Sequence, residues 1–553
     1  MVKVFEKPFL AITILVLLCA YIFFFKLGGL ALTDPDETFY AQTAKEMLAR
    51  GEWVTPYLLG EPQFEKPIMI YWLIELSYKV FGVNETAARL PSAIFGLLGV
   101  IAIYLLGKLL FNKRAGFLSA VILATSVEYV VLSRACITDM VLTVFMLLGV
   151  LFFFYGYLEE KRYFYGLSSA AFALAALTKG PIAIILPAAI FLVFFFLPGN
   201  LKALKKIPLG WCILAFVVVA GPWYGLAYKL HGREFIDAFF GFQNVTRFMQ
   251  SEHKIGSQFY YNIPILFGGF FPWSVFLPFA AWHGFKKIRS GTRSEKNNII
   301  FLFVWFLAIF IFFSISRTKL PTYIFPSFIS VALIVGVLWD DFLGSAGPSG
   351  PVSTGVRFSY YLLTAVVIAG AIGVPVYIYF DMPELFRGVA VSSLLLVFGF
   401  IVSAFAFIKK RYLAAFFLIA ASVAMFLLPL NFLVLPEVER LETSKEAALK
   451  LRSMMKKGEP LGAQSDYMAG VAFYADKFPA DLDHHEALLK FLNSDKRGWC
   501  IIKEQNHRGM YDPLINSDYV KPSYCVYKVG KRVIVTNEIP EDGVYLLERK
   551  CGK

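Results

Sequence analysis

The chain has 553 residues, 58% of them hydrophobic and 17% aromatic, with a mean hydropathy of +0.62. Only 17% are charged, which excludes an ordinary soluble protein of this length. The net charge of +13 does not point to nucleic acid, because the basic residues sit in short loops between apolar runs. There they serve as topology signals and headgroup contacts.

From the N-terminus, runs of about 20 apolar residues predict membrane spans. They fall near 8–26, 90–111, 115–133, 139–157, 163–178, 181–198, 208–228, 262–282, 298–315, 320–339, 358–379, 388–408 and 412–430. The fold class expected is therefore a polytopic α-helical membrane protein of about thirteen spans. The first run follows only Lys3 and Lys7 and lacks a small-residue cleavage site, so it reads as an uncleaved signal anchor. With the N-terminus inside, the inner loops hold Lys113-Arg114, Lys161-Arg162, Lys205-Lys206, Lys286 to Lys296 and Lys409-Lys410-Arg411. The outer connections carry one or two basic residues each, as the positive-inside rule requires. This bookkeeping gathers 27–89, the Arg134–Asp139 turn, 229–261, the turn 316–321 and the tail on one outer face.

Two domains are expected, a membrane domain over 1–435 and a small periplasmic α/β domain over 436–553. Between the first two spans, Phe39, Tyr40, Ala44, Met47 and Leu48 recur at helical spacing with Lys45, Glu46 and Arg50 opposite. That pattern predicts an amphipathic helix in the interface plane, and Lys66 to Phe81 predicts a second. In the tail, Leu441–Lys457 and His484–Leu492 read as helices. Pro460–Ala463, Gly498–Lys503, Tyr524–Val529, Arg532–Thr536 and Val544–Arg549 read as strands. Cys500, Cys525 and Cys551 have no zinc spacing, and one disulfide among them is allowed without a choice of pair.

The chemistry-bearing residues begin at Asp34, Asp36 and Glu37. Asp34 as N-cap, Pro35 at the first helical position and Glu37 three residues on form a capping box. That leaves Asp36 as a candidate general base or electrostatic partner. Lys66, in Glu65-Lys66-Pro67, is a compact cation suited to a phosphate or to a salt bridge with Glu65. Asp139 opens a span where the helix dipole favours an acid, and Arg134 is an outer-face cation that a resident anion would explain. The segment 229–261 adds Arg247 and His253, and the 316–321 turn adds Arg317 and Lys319. His253 with Glu65 could hold a zinc ion given a further ligand, although a lone His is more often a surface residue. No Walker, Rossmann, GxSxG or HExxH pattern occurs.

Taken in order, Asp36-Glu37-Thr38 with Tyr40-Ala41, then FEKPIMIYWL, AARLPSAIFGLLG, TKGPIAIILP, NVTRF, FPWSVFLP and SRTKLPTYIFP form a long string from Thr33 to Pro326. It resembles the bacterial aminoarabinose transferases and the protein O-mannosyltransferase-like enzymes of the GT-C class. The resemblance implies inverting transfer of a sugar from a polyprenyl phosphate donor at the periplasmic face of the bacterial inner membrane, with lipid A as the foremost acceptor. A protein acceptor is the first alternative; a lipid flippase, from another class, would show inverted repeats that are not visible here. The resemblance makes Asp36 the catalytic aspartate and Asp139 the second acidic position; the neighbouring Glu37 is a further catalytic candidate. The resemblance places Lys66 on the donor phosphate and puts Glu65 and His253 at a divalent-metal (zinc) position, while Arg247, Arg317, Lys319 and Arg134 are expected from their outer-face charge to support the phosphate. Phe39 and Gln42 replace the Arg and Glu of the usual DETRYAE, and Gln243 stands where many members carry His.

Overall fold

A backbone inside lipid must satisfy its polar groups internally, so long apolar segments become helices. The computed structural model describes residues 7–197, 201–246, 258–344, 351–494, 496–504 and 525–537. Among them, eight helices are long and apolar enough to cross a membrane, or ten if each of two bent pairs is one span. The chain forms two compact units. The first comprises Met1–Leu27, Phe64–Ile70 and Arg89–Leu430, and the second Gly28–Gln63, Tyr71–Ala88 and Asn431–Lys553.

In the first unit, the helices Glu85–Leu110 and Lys113–Ala124 meet at glycines. A Cβ on Gly107 would stand 2.6 Å from the Gly116 Cα, so neither position has room for a side chain. Two of the expected continuous spans are broken. The run 115–133 bends by 69° between Lys113–Ala124 and Val127–Ser133. At that break Thr125 and Ser126 bond back to the carbonyls of Val121 and Leu123, and the Trp273 indole N–H donates to Thr125 Oγ1 at 2.9 Å. The run 262–282 bends by 111° between Asn262–Gly269 and Trp273–Ser290. Pro272, which has no N–H to give, sits at that corner. Where the loops gather basic residues, Asp340 accepts from Arg114 and from Asn112 Nδ2 (2.7 Å), while Asp341 holds both His283 Nε2 and Lys287 Nζ at 2.7 Å.

In the second unit, the helix Asp36–Arg50 buries Tyr40, Ala44 and Met47 as its spacing predicts. Glu46, expected on the polar face, is buried too: its carboxylate accepts from Leu59 N–H (2.8 Å), Gly60 N–H (2.9 Å) and Gln42 Nε2 (2.9 Å). Those loop donors turn an expected surface acid into a clamp on the hairpin β1 (Tyr57–Leu58) and β2 (Glu61–Pro62). The second expected interfacial helix runs Met69–Phe81.

The tail contributes β3 (Leu461–Ala463), β4 (Ala480–Asp481), β5 (Trp499–Lys503), β6 (Cys525–Val529) and β7 (Arg532–Thr536) in the order β4-β3-β5-β7-β6. β3 lies parallel to β4 and β5, and β7 is antiparallel to β5 and β6. Central strands β5 and β7 are buried along most of their length, which suits their Ile, Val and Trp content. The helix expected over 441–457 is two, Leu435–Glu442 and Lys445–Met454, and a helix Ser465–Ala475 lies between β3 and β4. The strand expected at 544–549 and Cys551 lie outside the described residues. Cys500 is a buried free thiol.

Candidate active site

The first unit contains a cavity of about 490 Å³ whose wall is mostly apolar. Phe239, Phe240, Phe312, Phe313, Ile182 and Met146 supply its hydrocarbon surface. Glu65, Lys66, Asp139, Lys179 and Tyr323 supply its polar surface, with Ser316 and Thr318 from the 316–321 turn.

Two of the charged groups are placed by helix ends. Asp139 lies in the first turn of Thr138–Glu159, where the dipole favours an acid. Lys179 is the last residue of Arg162–Lys179, where it favours a base. The two meet: Lys179 Nζ donates to Asp139 Oδ1 at 2.6 Å, and both side chains are largely withdrawn from solvent (17% and 9% exposed). The same ammonium sits 5.0 Å from the Tyr323 ring centroid. Gly180 makes the turn that follows, at φ +83°, with the Phe239 ring so close that a Cβ would lie 2.6 Å from it. The chain thereby leaves Lys179 and enters Ile182–Phe196 without closing the cavity. Lys66 is half-buried and Glu65 exposed at the wall; Lys66 Nζ donates to the Glu65 carbonyl at 3.3 Å.

The structure therefore brings Lys66, Glu65 and Asp139 to one cavity and adds Lys179 and Tyr323, which sequence reasoning did not select. In the sequence Lys179 is one of the basic residues of the short outer connections. Its place in TKGP, a cation immediately before a Gly-Pro turn on the outer face, was the available sign. Arg317 and Lys319 do not line the cavity, although they share a turn with Ser316 and Thr318. Lys319 is buried, and that burial lowers the pKa of its ammonium. Arg134 has backbone partners in the fold: its guanidinium donates to the carbonyls of Ile22 (3.0 Å) and Phe25 (2.9 Å) at the end of the first apolar helix. Arg247 and His253 lie outside the described residues. Among the described residues no three His, Cys, Asp or Glu side chains converge to hold a metal, so Glu65 alone does not make a metal site.

The first unit holds a further acid. Glu128 lies in Val127–Ser133, inside a predicted span, and neither carboxyl oxygen has a hydrogen-bond partner among the described residues. Gly269 packs against it, with a built Cβ 2.2 Å from Glu128 Oε2. An acid within an apolar run is itself the signal that would have found it.

In the second unit the three acids at the start of Asp36–Arg50 have different surroundings. Glu37 is buried and Oε2 accepts from the Thr33 N–H (3.0 Å) and Oγ1 (3.1 Å). Asp34 is not the N-cap; its Oδ2 accepts from the Ser444 N–H at 2.8 Å and Oδ1 from Thr38 Oγ1 at 3.1 Å. A donor from the tail has outcompeted the local capping geometry. Burial, opposed in part by these bonds, raises the Asp34 pKa to about 6. Asp36 alone is exposed, in the first helical turn.

Comparison with known proteins follows the same lines. Residues 65–224 match the family described as dolichyl-phosphate-mannose-protein mannosyltransferase. An uncharacterised protein of Aquifex aeolicus is 31% identical over 474 residues, covering 85% of this chain and 87% of its own. The undecaprenyl phosphate-alpha-4-amino-4-deoxy-L-arabinose arabinosyl transferase of Pectobacterium carotovorum is 32% identical over 349 residues. The match covers 60% of this chain and spans only 60% of that transferase. The crystal structure of ArnT from Cupriavidus metallidurans bound to undecaprenyl phosphate superposes with a TM-score of 0.80 at 22% identity, over 96% of this chain and 99% of that one. The Archaeoglobus fulgidus oligosaccharyltransferase AglB gives 0.52 at 14% identity, over 96% and 74%. The fold is thus the GT-C fold.

Proposed function

Because the chain belongs to the aminoarabinose- and protein-mannosyltransferase-like membrane glycosyltransferases of the GT-C class, enzymes that draw on polyprenyl-phosphate-linked sugars, we propose that it transfers such a sugar with inversion. In this reading the donor is undecaprenyl phosphate-linked 4-amino-4-deoxyarabinose or a close relative, and the acceptor is lipid A. The observation that carries it is the cavity: a small set of charges, with Lys66 and Lys179 as its cations, on an otherwise hydrocarbon wall matches a phosphate that carries a lipid tail.

Lys66 and Lys179 bind the donor phosphate, with Arg247 as a third cation. Asp139 aims Lys179 through their 2.6 Å contact. As the bond between the sugar anomeric carbon and the phosphate oxygen breaks, these cations stabilise the charge on departing polyprenyl phosphate. The acceptor oxygen forms its bond from the opposite face of the sugar, which inverts the centre. A lipid A phosphate oxygen arrives already anionic, so Asp36 needs only to align it; a hydroxyl acceptor gives its proton to Asp36. Glu37 braces the helix start that presents Asp36.

The topology in this reading has thirteen passes. It counts the eight long helices, the two bent pairs, the shorter apolar helices Pro8–Phe24 and Ile182–Phe196, and Arg162–Lys179. The lysine and arginine bias then sets the N-terminus inside and the tail in the periplasm. The mannosyltransferase family match favours, as a second reading, a protein hydroxyl acceptor. Purified enzyme with undecaprenyl phosphate-aminoarabinose and either lipid A or total envelope protein decides between them by mass spectrometry. Sugar appearing on neither acceptor overturns the assignment.

A further inference from the structure

The first unit carries a second concavity, of about 290 Å³, with an almost wholly apolar lining. It is formed by Leu277, Ala281 and Phe285 of Leu277–Ser290, Phe303 and Leu307 of Arg293–Ile315, and neighbours on the adjoining helices. Gly284 lets the two helices close up, because a Cβ there would stand 2.8 Å from the Phe303 ring, and Phe285 stacks on Phe303 at 4.7 Å. These helices are joined by Gly291 and Thr292 alone, so both present the same end of the groove to that loop.

That end is basic. Arg289 is one turn, about 5.4 Å, beyond Phe285 on the groove face, and Lys296 lies two turns, about 10 Å, before Phe303. Lys286 and Arg293 flank them, and all four are exposed. The acids of this corner are already engaged: Asp341 by His283 and Lys287, Glu295 by Lys287 and the Thr292 cap. None of the four exposed cations makes an ion pair with a described residue. Arg293 and Lys296 also occupy the first turn of a 23-residue helix, where the dipole disfavours cations and the one acid, Glu295, is taken up by the cap. Trp282, 45% exposed with Lys286 Nζ 5.7 Å from its ring, is a side chain suited to the headgroup level.

We propose that this groove binds one anionic phospholipid, with an acyl chain along Ala281, Phe285, Phe303 and Leu307 and its headgroup phosphate on Arg289 and Lys296, flanked by Lys286 and Arg293. The apolar wall inside a membrane domain calls for hydrocarbon, and the four uncompensated cations call for a net negative headgroup in place of a zwitterionic one. By the positive-inside rule this lipid belongs to the cytoplasmic leaflet. The inference does not depend on the sugar or the acceptor.

Native mass spectrometry of the full-length protein, exposed to phosphatidylglycerol or phosphatidylcholine of identical chains, tests it. The wild type is expected to retain phosphatidylglycerol preferentially. Replacing Lys286, Arg289, Arg293 and Lys296 together by Gln should lower that retention at least about tenfold, since each cation near the surface attracts anionic lipid. Ala281→Trp, which fills the groove and leaves every charge, should lower it as well; Leu307→Trp serves the same purpose if Ala281→Trp does not fold. Equal retention of both lipids by the wild type overturns the proposal. So does wild-type retention of phosphatidylglycerol by the charge-free variant or by a folded groove-filled one.

Discussion

Two clusters of charge on apolar ground, the cavity of the first unit and the acidic helix start of the second, differ in where the charges are spent. In the cavity, Asp139 and Lys179 satisfy each other while both remain part of the wall, so the pair stays available to a ligand. At the helix start, backbone and hydroxyl donors hold Asp34 and Glu37, and Asp36 is left at the surface. A run of carboxylates is therefore not a site by count. What decides is which carboxylates are withdrawn among donors and which one is exposed.

The largest effect expected is at Asp36. Asp36→Asn keeps the shape but removes both charge and proton acceptance, and turnover should fall by roughly two to four orders of magnitude. The measurement is transfer by purified, folded enzyme that still binds polyprenyl phosphate. Full activity would move the chemistry away from the only exposed acid of the three.

The cavity is next. Lys179→Ala leaves the Asp139 carboxylate without its partner, and thermal stability of the detergent-solubilised protein should drop by on the order of 3 kcal/mol. Pairing Lys179→Met with Asp139→Asn should recover much of that stability but not donor binding. Recovery of both would reduce the pair to a structural element. Lys66→Ala, at a half-buried position, should raise the donor KM about tenfold or more with less than about 1 kcal/mol of stability lost. An unchanged KM would remove Lys66 from the phosphate.

These contrasts also mark what was legible in the sequence. The positions of the eight long apolar helices were, because bilayer thickness imposes a run of about 20 apolar residues that composition alone reveals. So was β7 at Arg532–Thr536, where a short β-branched run is bounded by turn residues. The break at Thr125–Ser126 was not, since both residues look ordinary inside an apolar run and the bend depends on Trp273 and Phe271 arriving from 148 and 144 positions away. Lys66 and Asp139 could be nominated by type and place, but only folding shows Lys179 reaching 40 residues back to Asp139. The capping box at Asp34 failed for a similar reason: Ser444 is 410 residues distant, and no local pattern can anticipate that donor.

The smallest and most diagnostic effect is at Asp34. Had it been an N-cap, Asp34→Asn would be mild because Asn caps as well as Asp. It should be mild for another reason, which pH can separate. The Asn side-chain oxygen can still accept from the Ser444 N–H, whereas the carboxylate it replaces is raised by burial from 3.8 to about 6. A carboxyl whose folded pKa lies above its unfolded one favours the folded state below the unfolded value and loses that contribution as pH rises through the folded value. The wild type should therefore lose stability from this group between about pH 4 and pH 6, by on the order of 1 kcal/mol once partial solvent screening is allowed for. Asp34→Asn should lack that slope and equal or exceed the wild type at pH 7. Asp34→Ala, which leaves the Ser444 N–H unmet, should instead cost about 1 to 3 kcal/mol at every pH. Parallel pH–stability curves for wild type and Asp34→Asn would mean that burial does not raise this acid above its ordinary value.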